Sequence, residues 1–307
     1  MSINVERRDF LKGAAALGAT AAVAGLMGCA STPKDDQAPQ QDGGTQGGTQ
    51  ATPDVVKDCD VVVCGTGISG LAAIVQAAEL GASVIALEAA PQAGGNGLGV
   101  EGSFANASPL QKEQGINFDF ETLIAQEMAS TQYRVDARLW RDLYDNSGAN
   151  IEWLISNGVE FSGDVNDYGT GAGIVSMHWY KDGSAGVGYV PPMVAKAQEL
   201  GVEFMYSTKA EHPVMNGEKV VGVTAKTADG ETVQVNAKAV ILATGGFGAD
   251  LEMLRRIGYN PDNIWYYGSE QNDGGGLRIG LEAGARDFSW NAADNAHAYI
   301  RALPHEG

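Results

Sequence analysis

Residues 59–88, CDVVVCGTGISGLAAIVQAAELGASVIALE, decide the fold of this chain. The run 60–64 is continuously apolar after its first residue and rich in valine, which is typical of a buried parallel strand. A glycine-rich turn follows, and residues 71–80 have the composition of a helix that ends at Gly81. A second apolar run then closes on Glu88. Strand, turn, helix, strand and acid in this order predict a Rossmann-like βαβ unit within an α/β fold.

The turn has the GxGxxG spacing of a dinucleotide-binding motif. Gly65 permits the tight turn, Gly67 lets a pyrophosphate approach the backbone, and Gly70 allows the helix to pack against the strand. Glu88 can accept a hydrogen bond from a ribose hydroxyl and would repel an additional 2′-phosphate. A lone GxGxxG also fits a tight turn without a ligand, but the surrounding elements all agree with dinucleotide binding.

Two glycine pairs and a β-rich segment extend this pattern. One pair, at 94–95, follows the second strand, and a later predicted strand runs into ATGG at 243–246. Between them, residues 201–237 alternate apolar and polar side chains, with turns at 216–217 and 229–230. This alternation predicts a small antiparallel β-layer beside the parallel sheet. Each glycine pair alone is common in ordinary loops, but the three features in this order favour a cofactor site.

From residue 59 to 297, the chain resembles the fumarate reductase/succinate dehydrogenase flavoprotein family. The segments that carry the resemblance are GTGISG (65–70), GGNG (94–97), NSGANIEWLISNGVEF (146–161), LATGGFG (242–248) and GGGLRIGLEAGA (274–285). GVEGSFA and MHWYKDG resemble the soluble, exported reductases of anaerobic bacteria that reduce activated carbon–carbon double bonds. The resemblance implies a Rossmann-like FAD-binding domain and hydride transfer through the flavin. It also implies a separate electron donor, such as a membrane quinol oxidase or a cytochrome.

The resemblance further implies which residues bind FAD. In this family, the first strand of the antiparallel layer brings the backbone near Ala210 to the adenine. Asn96 and Gly97 stand here where the respiratory complexes have the histidine that binds flavin covalently, so we expect non-covalent FAD. The candidate cofactor-binding residues are Gly65, Gly67, Ile68, Ser69, Gly70, Glu88, Ala89, Gly94, Gly95, Asn96, Gly97, Ala210, Ala243, Thr244, Gly245 and Gly246.

The resemblance assigns no catalytic residue to this chain. In the family, the substrate lies between the flavin and a capping domain, and an arginine contributed later in the chain donates the proton. Residue 307 falls soon after the point where that capping domain begins, so we expect an N-terminal portion whose catalytic residues lie elsewhere. Many relatives also read Gly-Asp-Gly-Leu where this chain reads GGGL at 274–277. The flavin-side acid is therefore absent or displaced to Asp273.

Several other polar residues have ordinary interpretations. His297 lies near the position of a substrate-binding histidine in the family, but its spacing from Asp287 differs, and we expect a structural or exposed residue. The run HWY at 178–180 could flank a flavin but is more typical of a core. The arginine pair at 255–256 ends a helical run, where the helix dipole favours cations. Glu101 fits either a polar group near the substrate or a solvated loop acid.

The N-terminal residues predict export rather than a folded element. The arginine pair at 7–8, followed by FLK and a mildly apolar stretch at 13–28, resembles a twin-arginine (Tat) signal. LMGC at 26–29 resembles a lipobox, which would make Cys29 the lipidated first residue of a protein anchored to the extracytoplasmic membrane surface. The alternative is ordinary cleavage after Ala30, which would release a soluble product.

These patterns divide the chain into four parts. We expect a Tat-type lipoprotein signal at 1–29 and a disordered linker, rich in Gly, Gln, Thr and Pro, at 30–57. The FAD-binding domain should span 58–290, and the start of a capping domain should span 291–307.

The composition argues against several other functions. Lys and Arg number 20 against 38 Asp and Glu, a net charge of −18, and phosphate binding by a nucleic-acid partner needs a basic surface. Cys59 and Cys64, two of the three cysteines, lie at opposite ends of the first predicted strand, too far apart for a disulfide. The sequence has no CxxC pattern, and we predict no metal site.

Three functions stay open from the sequence. The first is a flavin-dependent reductase that passes hydride from reduced FAD to an electron-poor double bond of a small-molecule substrate. The second is a flavin dehydrogenase of ketosteroid type, which would run the opposite reaction on the same scaffold. The third is a non-catalytic, truncated lipoprotein that binds flavin weakly or not at all.

Overall fold

A six-stranded sheet forms the centre of the structure, a computed structural model that describes residues 52–117, 119–133, 135–167, 175–266, 268–287 and 299–300. The strands are β1 (Val55–Cys64), β2 (Val84–Leu87), β3 (Gly102–Phe104), β4 (Phe161–Asn166), β5 (Met177–Tyr180), β6 (Glu203–Met205), β7 (Thr208–Asn216), β8 (Lys219–Thr227), β9 (Thr232–Leu242), β10 (Ile264–Trp265) and β11 (Tyr299–Ile300). The helices are α1 (Ile68–Glu79), α2 (Pro109–Glu113), α3 (Phe120–Ser130), α4 (Ala137–Ser156), α5 (Ala185–Gly188), α6 (Val190–Glu199), α7 (Leu251–Arg256) and α8 (Gly275–Glu282). The strand order of the central sheet is β6-β2-β1-β9-β8-β7.

Strand β1 lies inside the sheet, with β2 and β9 parallel to it on its two sides. Its last three residues are fully buried, as expected for a valine-rich strand that is covered on both faces. The strand is longer than the predicted 60–64 because its first half also pairs with β9, where Val55 lies opposite Val233. The strand therefore begins inside the stretch 30–57 that we expected to be a linker.

The two faces of the sheet each have a core, because successive residues of a strand point to opposite faces. Helices α1 and α6 pack together over one face, where the buried residues include Val63, Leu71, Ile74, Ala86 and Met193. The buried residues of the opposite face include Val62, Cys64, Leu87, Val223 and Val235. Cys64 and Cys59 are free thiols, and burial raises the pKa of the Cys64 thiol to about 12.

Helix α1 joins β1 to β2 as the sequence predicts. It ends at Glu79 with Leu80 as its C-cap, and Gly81 takes the left-handed conformation, with φ of +86°, that terminates many helices. Helix α4 covers much of the segment NSGANIEWLISNGVEF (146–161) but begins before it, where Asp136 caps the N-terminus by accepting a hydrogen bond from the Arg138 N–H. Gly158 follows the end of α4 with φ of +89°.

The antiparallel layer predicted between residues 201 and 237 is present as β7, β8 and β9. Gly217 and Gly230 have φ values of +62° and +88° in the two connections, which is the conformation that hairpin turns require of glycine. The layer is continuous with the parallel sheet, because the first half of β9 pairs with β8 and the whole of β9 pairs with β1. The two strand types thus form one mixed sheet.

A second sheet, of order β3-β5-β4, has no counterpart in the sequence prediction. Its strands are short, β3 lies far from the other two in the sequence, and ten residues separate β4 from β5, so no short hairpin signal marks them. Residues His178 and Tyr180 of β5 are at most 1% exposed, which confirms the interpretation of HWY as part of a core. Tyr180 stacks on Phe161, with the ring centroids 5.2 Å apart.

Within the residues that the structure describes, no helix combines the length and apolar character needed to cross a bilayer. The same residues contain no cluster of His, Cys, Asp or Glu side chains that could hold a metal ion.

Candidate dinucleotide site

The candidate site lies where three parallel strands end side by side. The Gly65 N–H donates to the Leu87 carbonyl at 2.7 Å, and the Ala243 N–H donates to the Cys64 carbonyl at 2.8 Å. The glycine turn after β1, Glu88 after β2 and ATGG after β9 are thereby brought to one edge of the sheet. Ligands of doubly wound α/β folds bind at this carboxyl edge.

Packing within the protein explains two of the three motif glycines. Gly65 has φ of +99°, and a Cβ there would clash with the Ala243 carbonyl oxygen. A Cβ on Gly70 would clash with the Gly65 carbonyl oxygen, because α1 crosses close to the turn. Both positions therefore need glycine whether or not a ligand is bound.

Gly67 is different, because nothing in the described structure crowds it. A Cβ at this position would meet only the Gly94 carbonyl oxygen, at an ordinary contact distance of 3.7 Å. Gly67 is the N-cap of α1, no side chain caps the helix, and its first turn, which includes Ile68 and the exposed Ser69, has no acidic residue. The free space beside an uncapped helix N-terminus fits an anionic group such as a pyrophosphate.

Glu88 is 7% exposed and is held in a fixed orientation. Its Oε2 accepts hydrogen bonds from the Thr66 N–H at 2.8 Å and the Thr66 hydroxyl at 2.6 Å. Its Oε1 accepts from the Ala90 N–H at 2.9 Å. These bonds stabilise a carboxylate at the position where the motif expects the acid that binds ribose.

The segment 88–90, which includes the half-buried Ala89, is fastened to the start of the antiparallel layer. The Thr208 N–H donates to the Glu88 carbonyl at 2.8 Å, and the Ser207 N–H donates to the Ala90 carbonyl at 2.9 Å. Ala210 follows Thr208 by two positions on β7. Burial, together with the charge of Glu88, raises the pKa of Tyr206 in the same segment.

The glycine pair at 94–95 lies against the GxGxxG turn. The Gly94 N–H donates to the Thr66 carbonyl at 2.9 Å, and both glycines have positive φ, +119° and +49°. Gly97 is buried against Ile68, whose side chain a Cβ on Gly97 would crowd. The first two glycine segments are thus parts of one surface.

Asn96 is directed to a loop that the sequence did not associate with the site. Its Oδ1 accepts from the Ser269 N–H at 2.5 Å, and its Nδ2 donates to the Tyr266 hydroxyl at 3.1 Å. The same hydroxyl accepts from the Asn272 side chain at 2.7 Å. Tyr266 and Ser269 are therefore tied to the second glycine segment through Asn96.

The segment 243–246 packs on the N-terminus of α8. The Gly276 N–H donates to the Thr244 hydroxyl at 3.1 Å, and the Gly274 N–H donates to the Gly246 carbonyl at 3.0 Å. Gly245 has φ of +80° and lies so close to Asn272 that a Cβ would clash with that side chain. A Cβ on Gly276 would clash with the Thr244 hydroxyl, so glycine at this position of GGGL permits the close approach of α8 to segment 243–246.

Asp273, the proposed replacement for the flavin-side acid, is engaged within the protein. It forms an ion pair with Lys209 of β7 and accepts from the Gly275 N–H at 2.9 Å. Burial alone would raise the pKa of Asp273, but these hydrogen bonds and the charges of Lys209 and Arg278 lower it below its usual value. The acid therefore ties β7 to α8.

Other residues that the sequence singled out lie elsewhere or outside the described residues. Glu101 is exposed on the loop before β3. The arginines at 255–256 lie in the last turn of α7, which confirms the predicted helix end. His297 and the lipobox cysteine Cys29 are outside the residues that the structure describes.

Thr66, Tyr266 and Asn272 are the polar residues that the sequence prediction missed. Thr66 occupies a position that GxGxxG leaves free, so the motif gives no signal for it. Tyr266 and Asn272 lie in a segment without periodicity, and their contacts with Asn96 and Gly245 are long-range. The expectation that the glycine pairs at 94–95 and 245–246 serve one cofactor site is a signal that could have suggested a loop bridging them.

Residues 60–306 match the family model described as FAD binding domain. Residues 4–24 match the twin-arginine translocation pathway signal sequence, which confirms the predicted export signal. Among curated proteins, the vinyl phenol reductase of Lactiplantibacillus plantarum is 36% identical over 246 residues, or 79% of this chain and 49% of the relative. This chain therefore spans about half the length of that relative.

Two solved structures share the fold. The open conformation of a flavocytochrome c3 fumarate reductase has a TM-score of 0.70 at 26% identity, covering 75% of this chain and 41% of that one. A 3-ketosteroid-Δ4-(5α)-dehydrogenase from Rhodococcus jostii RHA1 has a TM-score of 0.69 at 26% identity, covering 78% of this chain and 56% of that one. Since the family model covers most of the chain and the glycine segments meet at one edge of the sheet, the chain belongs to the FAD-binding flavoprotein family that its sequence resembles.

Proposed function

We propose that the whole protein is an FAD-dependent oxidoreductase that reduces an activated carbon–carbon double bond of a small molecule. The observation that carries the cofactor assignment is the free space at Gly67, beside an uncapped helix N-terminus and the oriented carboxylate of Glu88. The reaction class is supported by the relatives, since one is named a vinyl phenol reductase and another a fumarate reductase.

In this proposal, FAD supplies the hydride, and the chain holds the cofactor. The N–H groups at Gly67, Ile68 and Ser69 face the pyrophosphate, and Glu88 accepts a hydrogen bond from the adenosine ribose. The backbone at Ala210 lies beside the adenine. The remaining candidates, Gly65, Gly70, Ala89, Gly94, Gly95, Asn96, Gly97, Ala243, Thr244, Gly245 and Gly246, shape the surface along the rest of the dinucleotide.

The location and partners of the protein belong to the same proposal. The Tat signal exports the chain, and FAD is loaded before export, because that pathway carries folded proteins. Lipidation of Cys29 would then anchor the protein to the outer face of the membrane, where a quinol oxidase or a cytochrome could deliver electrons. The flavin stays non-covalent, because Asn96 replaces the histidine and makes its own hydrogen bonds to the loop at 266–272.

A flavin dehydrogenase acting on steroids is the second candidate. The likeness to the ketosteroid dehydrogenase, with a TM-score of 0.69, favours it. The two candidates differ in direction, since the reductase oxidises its flavin with a substrate and the dehydrogenase reduces its flavin with one.

An anaerobic flavin assay separates the candidates. The full-length protein is purified with its flavin, which is reduced with dithionite and then mixed with fumarate, urocanate, acrylate or 4-vinylphenol. Recovery of the oxidised flavin spectrum with one of these acceptors supports the reductase. Bleaching of oxidised flavin by a saturated 3-ketosteroid supports the dehydrogenase, and a flavin that reacts with neither class contradicts both.

A further inference from the structure

The carboxylate of Glu88 is nearly saturated with hydrogen bonds from the protein itself. Oε2 accepts two, from the N–H and the hydroxyl of Thr66, at 2.8 Å and 2.6 Å. Oε1 accepts one, from the Ala90 N–H, at 2.9 Å. An ionised carboxylate offers about four acceptor positions. Within the described residues, therefore, one acceptor position is left, and it lies on Oε1.

Thr66 directs all of its polar groups to the site. The residue is fully buried, and its carbonyl accepts from the Gly94 N–H at 2.9 Å while its N–H and hydroxyl hold Glu88. Its branched side chain has few rotamers, so the hydroxyl is kept on the carboxylate. Because the hydroxyl fills the second position on Oε2, Glu88 cannot turn that oxygen to a ligand without losing a buried hydrogen bond.

We propose that Thr66 is a positioning residue that locks Glu88 so that only Oε1 is available, and that Glu88 therefore binds a single hydroxyl of the adenosine ribose. This inference rests on the proposed binding of FAD at this site. It deepens that proposal, because it specifies how many ribose hydroxyls the acid recognises and which residue sets that number.

Two substitutions distinguish the effect of the Thr66 hydroxyl from the effect of the size of the Thr66 side chain. Thr66→Val keeps the branched shape but removes the hydroxyl, which frees Oε2 and leaves the carboxylate less firmly held. A hydrogen bond to a charged group of this kind corresponds to about a tenfold change in affinity or more. Thr66→Ser keeps the hydroxyl and serves as the matched control, and we expect it to bind FAD within about twofold of wild type.

The test measures the affinity of the flavin-free, full-length protein for FAD and for two analogues that lack the 2′- or the 3′-hydroxyl of the adenosine ribose. Quenching of flavin fluorescence reports binding without any enzymatic turnover. In wild type, we expect one analogue to bind about tenfold more weakly than FAD and the other to bind like FAD. In Thr66→Val, FAD itself should weaken about tenfold, and the sensitive analogue should lose little further affinity.

The outcomes distinguish this inference from the cofactor assignment. If wild type loses affinity equally with both analogues, Glu88 binds both hydroxyls and the inference is wrong, even if Thr66→Val does not fold. If Thr66→Val weakens FAD and both analogues by the same factor, Thr66 acts on the fold rather than through Glu88, and the inference is wrong. If wild type binds none of the three ligands, the cofactor assignment is wrong, and so is the inference that rests on it.

Discussion

At the scale of single residues, the three glycines of one motif are required for different reasons. Gly65 and Gly70 are required by the protein, since a Cβ on either would clash with backbone in the described structure. Gly67 has room for a Cβ, and its φ of −70° suits any residue. We therefore attribute the glycine at position 67 to the proposed cofactor, whose pyrophosphate would approach the backbone there.

This difference predicts opposite outcomes for two matched substitutions. Gly67→Ala should unfold within about 2 °C of wild type but bind FAD at least about tenfold more weakly, because the added methyl lies where the pyrophosphate approaches. Gly70→Ala should lower the free energy of unfolding by about 1–3 kcal/mol, because α1 must move away from the turn. Thermal unfolding without flavin and flavin titration measure the two effects. A flavin affinity unchanged by Gly67→Ala would contradict the proposed site.

His178 shows the same distinction between structural and ligand-binding residues. Its Nδ1 lies 2.8 Å from the Ser176 carbonyl, which can only accept, so Nδ1 carries the proton. Its Nε2 then accepts from the Ser108 hydroxyl at 2.6 Å. The histidine is fully buried and neutral in this arrangement, which places it in the core rather than beside the flavin.

Burial lowers the pKa of His178, although its hydrogen bond to the Ser176 carbonyl acts in the opposite direction. The unfolded chain, with a histidine pKa of about 6.5, therefore binds a proton more readily than the folded chain. The contribution of neutral His178 to the free energy of unfolding is therefore fully present above about pH 6.5, and it is lost as the pH falls through the pKa of His178 in the folded chain. Urea unfolding at pH 7.5 and pH 5 should show a larger loss of stability in wild type than in His178→Gln. Equal losses in the two proteins would contradict this assignment.

At the scale of secondary-structure elements, Asp250 connects two helices beside the site. Its Oδ1 caps α7 by accepting from the Glu252 and Met253 N–H groups, at 3.0 Å and 2.9 Å. Its Oδ2 accepts from Arg278 of α8 at 2.7 Å. One side chain thus fixes the start of α7 and the direction of α8, whose N-terminus packs on segment 243–246.

The two roles of Asp250 can be measured separately. Asp250→Ala removes the cap and the ion pair and should lower the free energy of unfolding by about 1–2 kcal/mol. Asp250→Asn keeps an oxygen that can cap α7 but loses the charge that faces Arg278, so we expect a loss of at most about 1 kcal/mol. Urea unfolding curves give both values. If the two variants were equally destabilised, the ion pair rather than the cap would be the main contribution.

The elements also show how far the sequence could predict this structure. The βαβ unit was predictable because its strands and helix follow one another closely in the sequence and glycines mark the turns between them. The hairpins were predictable from Asn216-Gly217 and Asp229-Gly230. The first half of β1 was not, because its polar residues become a strand only through pairing with β9. The sheet β3-β5-β4 was missed because β3 comes from a distant part of the chain and ten residues separate β4 from β5, so no short hairpin signal marks either pair.

The same limit applies to the site. The segments GTGISG, GGNG and ATGG were predictable because each has its own glycine signal, and the structure brings them to one edge of the sheet. The partners of these segments were not predictable. Thr66 binds Glu88 across 22 positions, and Asn96 binds Tyr266 across 170 positions, and a local sequence pattern carries no information on either pair.

At the scale of the whole molecule, the mixed sheet collects the candidate FAD-binding residues from four separate parts of the chain. The residues come after β1, after β2, at the start of β7 and after β9, and the loops there are held mainly by hydrogen bonds to one another. A dinucleotide that contacts all four parts should bind the folded state only. Its binding free energy therefore adds to the stability of the whole domain.

Ligand binding should consequently raise the midpoint of thermal unfolding in a way that depends on the adenylate half of the cofactor. FAD at about 100 times its dissociation constant should stabilise the flavin-free protein by about 2.7 kcal/mol, a shift of several degrees. FMN has no adenosine to reach Glu88 and Ala210, so the same concentration should give a much smaller shift. Differential scanning calorimetry measures both, with Gly67→Ala as the control, whose stabilisation by the same FAD concentration should be at most about half that of wild type because its affinity is at least about tenfold lower. Equal shifts with FAD and FMN would mean that the adenosine half does not bind at Glu88, whatever holds the flavin.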